Sequence, residues 1–184
     1  CLAFGFALLP QELQRPAIHG LLEELEPQDW RLSTGFVGTP LLLPVLTASG
    51  HTDIAYRVLL QNDYPGWLYS IHQGATTMWE RWNSYSHEDG FGDAGMNSFN
   101  HYAYGAVGEW MYSVIGGIDA LEPGYKKILI HPRPGGQLTW AKTRLDSPYG
   151  PIRSAWRLGA GRGILEGGIQ PNTAARIVPP DGRR

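Results

Sequence analysis

From Cys1 to about Ile118 the apolar residues recur at helical spacing, and from Tyr125 onward they alternate over short runs bounded by Gly and Pro. That change of period predicts a mainly α part followed by a β part. The opening run CLAFGFALLP is apolar with no capping residue ahead of it, so it reads as the end of a helix, as the tail of a longer protein would show. It lacks the basic stretch and small-residue cleavage site of a signal peptide, which leans towards a cytoplasmic chain. Pro16, taken as a first-turn position, opens a helix striped by Ile18, Leu21, Leu22 and Leu25. Thr39 and Pro40 read as N-cap and first residue of the next helix, which holds Pro44 and closes at Gly50. Thr52 and Asp53 start a cleaner amphipathic helix with Ile54, Ala55, Val58 and Leu59 inward, ended by Tyr64, Pro65 and Gly66. Short connections between such helices suggest antiparallel hairpins. A last helix runs from an N-cap at Ser98 to Gly116 and Gly117, with Tyr102, Ala103, Ala106, Trp110 and Val114 on one face. Between them Trp82 to Ser98 has no period and is predicted to be a long loop.

The β part divides into runs at 126–131, 137–145, 150–158, 163–169 and 173–178, separated by turns such as Pro134–Gly135–Gly136. Five short strands at this spacing predict a small antiparallel sheet or half of a sandwich, with the boundary near Glu122 to Gly124. Arg183 and Arg184 read as a frayed end.

Composition then narrows the chemistry. The 184 residues carry 15 Lys plus Arg against 17 Asp plus Glu, for a net charge of −2, and no basic stripe is visible, so nucleic acid is not an expected partner. No apolar run approaches the roughly 20 residues of a membrane span. The single Cys1 excludes an intramolecular disulfide framework. Seven Trp and nine Tyr beside only 17% charged residues suit a protein that stacks on flat hydroxylated ligands, because an aromatic face covers C–H surface while its edge hydrogen-bonds; a tryptophan-rich core explains them equally well.

Two segments could carry chemistry. GATTMWERW (Gly74–Trp82) sets Glu80 and Arg81 between Trp79 and Trp82. A carboxyl group walled by indoles is partly desolvated and suits proton transfer near neutral pH. If the segment is extended, Glu80 and Trp82 share one face, and Trp79 and Arg81 the other. An ion pair between Glu80 and an arginine is the structural alternative. NSFNHYAYG (Asn97–Gly105) places His101 in the first turns of the last helix, with Asn97 and Asn100 as amide donors and acceptors, an arrangement able to hydrogen-bond a sugar hydroxyl or simply to pack. The acidic loop HEDGFGD (His87–Asp93) lacks the full calcium-loop pattern and reads as solvated. No serine elbow, phosphate loop, dinucleotide fingerprint or zinc helix occurs, and no cofactor or metal is expected.

Three blocks, LSTGFVGTPLLLPVL (Leu32–Leu46), YPGWLYSIHQGATTMWERW (Tyr64–Trp82) and MNSFNHYAYGAVGEWMYSVIGGI (Met96–Ile118), resemble in order the C-terminal part of the catalytic domain of bacterial α-L-rhamnosidases of glycoside hydrolase family 78. GYKKILIHPRPGG and the strands after it resemble the β-sandwich that follows that domain. The resemblance implies a partial (α/α)6 barrel over residues 1–122 and a β-sandwich over 123–184. It also implies inverting removal of terminal α-L-rhamnose from rhamnose-containing glycosides. By the same resemblance Glu80 is the general base, His101 hydrogen-bonds the sugar, and Trp79, Trp82 and Asn100 contribute to the pocket. The general acid of the family lies in an upstream motif that has no equivalent here, and only four or five of the barrel's twelve helices fit before Ile118, so the isolated chain is expected to be catalytically silent. The other readings are a non-catalytic carbohydrate-binding piece or a different (α/α)-barrel exo-glycosidase.

Overall fold

The computed structural model describes residues 1–159 and 162–180, so Arg183 and Arg184 lie outside the described residues. Two compact units are present, Cys1–Val107 and Gly108–Arg184. No helix among the described residues is long and apolar enough to cross a membrane.

The first unit contains α1 (Leu2–Gly5), α2 (Gln11–Leu25), α3 (Thr39–Ala48), α4 (Thr52–Leu59) and α5 (Trp67–His72). Its centre is the antiparallel α3–α4 hairpin. Leu42, Leu43, Val45 and Leu46 of α3 and Ile54, Ala55, Tyr56, Val58 and Leu59 of α4 are all buried, and each large aliphatic side chain so enclosed contributes about 1.5–3 kcal/mol. Because α3 is apolar on nearly every side, it is enclosed rather than striped. Gly50 closes it as the sequence predicts: at φ +87° it lets the His51 N–H reach back to the Leu46 carbonyl at 2.8 Å. Thr39 lies inside the first turn, not ahead of it, and its hydroxyl bonds the carbonyls of Thr34 and Gly35 at 3.2 and 2.9 Å.

Further expectations are corrected in this unit. Pro16 does not open a helix but sits inside α2, which starts at Gln11 after Pro10, so the lost N–H bond falls within an exposed turn where water can reach the freed carbonyl. The six-residue α5 follows the Tyr64–Gly66 turn where no separate helix was expected, since one and a half turns are too short to show a period. The loop from Trp82 to Ser98 contains a small hairpin, β1 (Tyr85–Ser86) with β2 (Gly90–Phe91).

The helical run expected from Ser98 begins only at Ala103. A tight turn over Ala103–Ala106 leads into α6 (Val107–Trp110) and then a wide π-type turn at Met111–Ile115, where the Gly116 N–H bonds the Met111 carbonyl at 2.8 Å. Residues 98–101 stay non-helical because their backbone groups are committed elsewhere, as described below.

The second unit continues with β3 (Ile118–Ala120), β4 (Lys127–Ile130), β5 (Trp140–Ser147), β6 (Gly150–Gly159), β7 (Arg162–Gly168) and β8 (Ala174–Ile177). All five expected strands form, but not as one antiparallel sheet. They make two three-stranded sheets, β3–β4–β8 and β5–β6–β7, and β4 pairs parallel with β8. The sixth strand, β3, lies between the expected helix end at Gly117 and the first expected strand, where no element was expected; three residues leave no alternation to read. Ile118, Ile128, Ile130 and Ile152 form the core, covered by Tyr125, Leu145, Leu165 and Ala175. Trp156 is 2% exposed, and its indole N–H donates to the Ile115 carbonyl at 2.7 Å, which satisfies the one polar group the ring buries.

Gly117, at φ +71°, lies directly against the backbone of His131 and Pro132, leaving no room for a Cβ. Gly117→Ala is therefore expected to destabilise this unit by about 2–5 kcal/mol, from backbone strain and overpacking together, as measured by urea unfolding. A loss under about 1 kcal/mol would show that the close approach is dispensable.

Candidate active site

The Gly74–Trp82 and Asn97–Tyr104 segments, separate in sequence, run side by side. Glu80 and Ser98 are joined twice: the Glu80 N–H donates to the Ser98 carbonyl at 2.8 Å, and the Ser98 N–H donates to the Glu80 Oε2 at 2.7 Å. The His101 N–H donates to the Met78 carbonyl at 2.8 Å, and the Thr77 hydroxyl donates to the Phe99 carbonyl. These bonds explain why no helix starts at Ser98, since the groups that would begin its ladder already have partners.

Glu80 is half-buried and makes no ion pair among the described residues, so the arginine-partner alternative is not what holds it. One carboxylate oxygen takes the Ser98 N–H, a charge-assisted bond that fixes the side chain, while Oε1 has no hydrogen bond among the described residues. Arg81 is exposed, and its backbone N–H donates to the Ser84 hydroxyl at 3.1 Å in a tight turn.

His101 is not in a helix; it lies two residues before the Ala103 turn. Its Nδ1 accepts from the Ala103 N–H at 3.4 Å, so the neutral ring carries its proton on Nε2 and offers a donor there. The imidazole is stacked on Phe36, with ring centroids 4.7 Å apart and planes 15° from parallel, and Tyr102 lies nearly parallel to it at 5.7 Å. Asn100 is exposed, with its N–H on the Ser98 hydroxyl at 3.2 Å. Asn97 donates through Nδ2 to the Ser84 carbonyl at 2.9 Å, and its Oδ1 is buried without a partner.

The tryptophans do not alternate across a strand as expected. Trp79 and Trp82 are both buried, at 7% and 8% exposure, because the segment turns at Arg81–Ser84 instead of remaining extended. Trp79 meets Phe99 edge-on at 5.3 Å. Trp82 stacks on Tyr104 at 3.9 Å and meets Trp67 edge-on at 5.3 Å, while the Trp67 indole N–H donates to the Tyr104 carbonyl at 2.9 Å. Burial, with a smaller contribution from Tyr64, pushes the Tyr104 hydroxyl pKa up and keeps it neutral. The acidic loop is knit by its own turn bonds, including the Asp89 N–H to the Ser86 hydroxyl at 2.9 Å. Among the described residues no three His, Cys, Asp or Glu side chains gather as a metal site.

Phe36 and Thr77 are the residues that sequence reasoning missed. Each lay in a quoted block, yet only the folded chain shows that Phe36 supports His101 and that Thr77 ties the two segments together.

The two segments thus present a carboxylate fixed through one oxygen and an imidazole stacked on Phe36, with the aromatic rings of Trp79, Phe99, Trp82 and Tyr104 packed beside them. Comparison with known proteins gives the family. Residues 1–115 match the bacterial alpha-L-rhamnosidase 6 hairpin glycosidase domain, and residues 117–184 match the bacterial alpha-L-rhamnosidase C-terminal domain. The chain belongs to the bacterial α-L-rhamnosidase family of glycosidases. It is 49% identical over 181 residues to an alpha-L-rhamnosidase of Streptomyces avermitilis, covering 98% of this chain and 18% of that protein. It is also 50% identical over 181 residues to one of Formosa agariphila, covering 98% of this chain and 20% of that protein. The chain thus spans about a fifth of the length of the curated relatives it matches. Among solved structures, the Streptomyces avermitilis alpha-L-rhamnosidase complexed with L-rhamnose superposes with a TM-score of 0.93 at 49% identity, over 96% of this chain and 17% of that one. Native rhamnosidase from Aspergillus terreus gives 0.93 at 39% identity, over 97% and 21%.

Trp82→Ala would remove the ring between Tyr104 and Trp67 and is expected to cost about 3–5 kcal/mol in urea unfolding. A cost under about 1 kcal/mol would mean that the aromatic backing is not what supports the Glu80 segment.

Proposed function

We propose that this chain supplies the general base and part of the sugar-binding wall of an α-L-rhamnosidase that hydrolyses terminal α-linked L-rhamnose with inversion of configuration. In this reading residues 1–122 form an arc of an (α/α)6 barrel and residues 123–184 a β-sandwich. The observation that carries the proposal is the asymmetric tethering of Glu80: Oε2 is held by the Ser98 N–H, and Oε1 has no hydrogen bond among the described residues. A carboxylate so held can take a proton from water through its free oxygen without reorienting.

In inverting hydrolysis one carboxyl group protonates the leaving oxygen, and a carboxylate about 6.5–9.5 Å away activates water on the opposite face of the ring. Glu80 takes the second role. The acid belongs to the part of these enzymes that the chain does not cover. His101 donates from Nε2 to a sugar hydroxyl, and its stacking on Phe36 holds the ring in place as charge develops at the anomeric carbon. Trp79 and Trp82 wall the pocket from behind, and Asn100, being exposed, is available to a ligand. Rhamnose-containing glycosides are the proposed substrates.

In the intact enzyme Glu80→Gln is expected to lower kcat on an aryl α-L-rhamnoside by about 100- to 10,000-fold with little change in KM. Azide should restore turnover to Glu80→Ala and give the β-configured rhamnosyl azide. Unchanged turnover in Glu80→Gln removes the base assignment, and an α-configured azide product removes inversion. The purified 184-residue chain is expected to release no aryl alcohol from the same substrate, and measurable release would show that it holds both catalytic groups.

A further inference from the structure

The outer face of the β5–β6–β7 sheet carries a second constellation that plays no part in the site above. Along these strands Trp140, Lys142, Arg144, Arg153, Arg157, Ile164 and Glu166 point away from the core, alternating with the inward Leu145, Ile152, Trp156 and Leu165. Register places them in rows: Trp140 opposite Arg157 and Arg157 opposite Ile164, then Lys142 opposite Ala155 and Ala155 opposite Glu166. Ala155 is the smallest side chain in the middle of this array, so the sheet dips there. The resulting depression, of about 340 Å³, is lined by Trp140, Lys142, Ala155, Arg157, Ile164 and Glu166, together with part of Trp156. That size is at the lower end of the roughly 300–1,000 Å³ of small-ligand clefts.

Trp140 is 60% exposed, and among the described residues its ring has no aromatic or cationic partner and its indole N–H no acceptor. Lys142, Arg157 and Glu166 likewise make no ion pair or side-chain hydrogen bond among the described residues. The nearby Arg144 is neutralised by Asp146 at 2.9 Å, so the charges of this face without an ion pair among the described residues are Lys142, Arg153, Arg157 and, at the far end of β7, Arg162, against Glu166. An open indole face, two cations beside it and one carboxylate opposite them match a pyranose ring that bears a carboxylate. The ring's C–H face lies on the indole, its carboxylate meets Lys142 and Arg157, and a hydroxyl donates to Glu166.

We propose that this face is a second, non-catalytic saccharide site that holds a uronate-bearing stretch of a polysaccharide substrate. The proposal rests on the glycosidase reading for its ligand class, but not on the roles of Glu80 or His101.

Affinity electrophoresis of the intact enzyme in gels containing polygalacturonate, with carboxyl-reduced polygalacturonate as the neutral control, tests it. The acidic polymer should retard the enzyme and the neutral one should not. Trp140→Ala should weaken retention about tenfold, and the Lys142→Ala, Arg157→Ala pair should abolish it. All three positions are exposed, so melting temperatures should stay within a few degrees of wild type, and hydrolysis of a small aryl rhamnoside should be unchanged. Absence of retardation in the wild type, equal retardation of Trp140→Ala, or equal retention by the neutral polymer would overturn the proposal. Failure of the catalytic reading would appear separately, as full turnover in Glu80→Gln, and would leave the gel result standing.

Discussion

The paired hydrogen bonds between Glu80 and Ser98 are the constraint on which the geometry of the first unit's candidate site depends. They draw two segments, eighteen residues apart in sequence, into register. They also end any possibility of a helix before Ala103, and they hold one oxygen of the only carboxylate in the Gly74–Trp82 segment. An N–H bonded to a carboxylate is worth about 1.5–3 kcal/mol, more than a neutral pair, so a side chain with three rotatable bonds is kept in one orientation. The neighbouring bonds from His101 to Met78 and from Thr77 to Phe99 extend that register to the imidazole.

The aromatic residues give this pairing a rigid backing. Trp82, Tyr104 and Trp67 form a continuous packed group, tied by the Trp67 indole N–H donating to the Tyr104 carbonyl at 2.9 Å and the Ser70 hydroxyl donating to the Trp82 carbonyl at 3.0 Å. The richness in tryptophan therefore has more than one meaning. Trp79, Trp82 and Trp67 are buried supports, Trp156 closes the core of the second unit, and Trp140 lies open on a sheet face. A count of tryptophans cannot separate these roles, because the same side chain serves both packing and stacking.

Much of the architecture was legible in the sequence. The change of period separates helices from strands, Gly50 ends α3 where expected, and the five β runs all became strands with ends shifted by no more than three residues. Local signals failed where the backbone was captured from a distance. Ser98 has the chemistry of an N-cap, but its N–H and carbonyl went to Glu80. Pro16 has the look of a first-turn residue, but the chain upstream was already helical. The parallel pairing of β4 with β8 joins residues more than forty positions apart, and no alternation along either strand encodes it.

By itself, the sequence determined the order of element types, the end of α3 at Gly50, the family resemblance and the two segments able to carry chemistry, because periodicity, turn residues and motif blocks are local properties of the chain. Tertiary structure alone decided that those two segments lie together and that Phe36 stacks on His101. It likewise decided that Trp82 faces inward while Trp140 faces out. Each of these depends on which distant backbone groups and rings find one another, and that choice is made by packing and hydrogen-bond satisfaction over the whole unit.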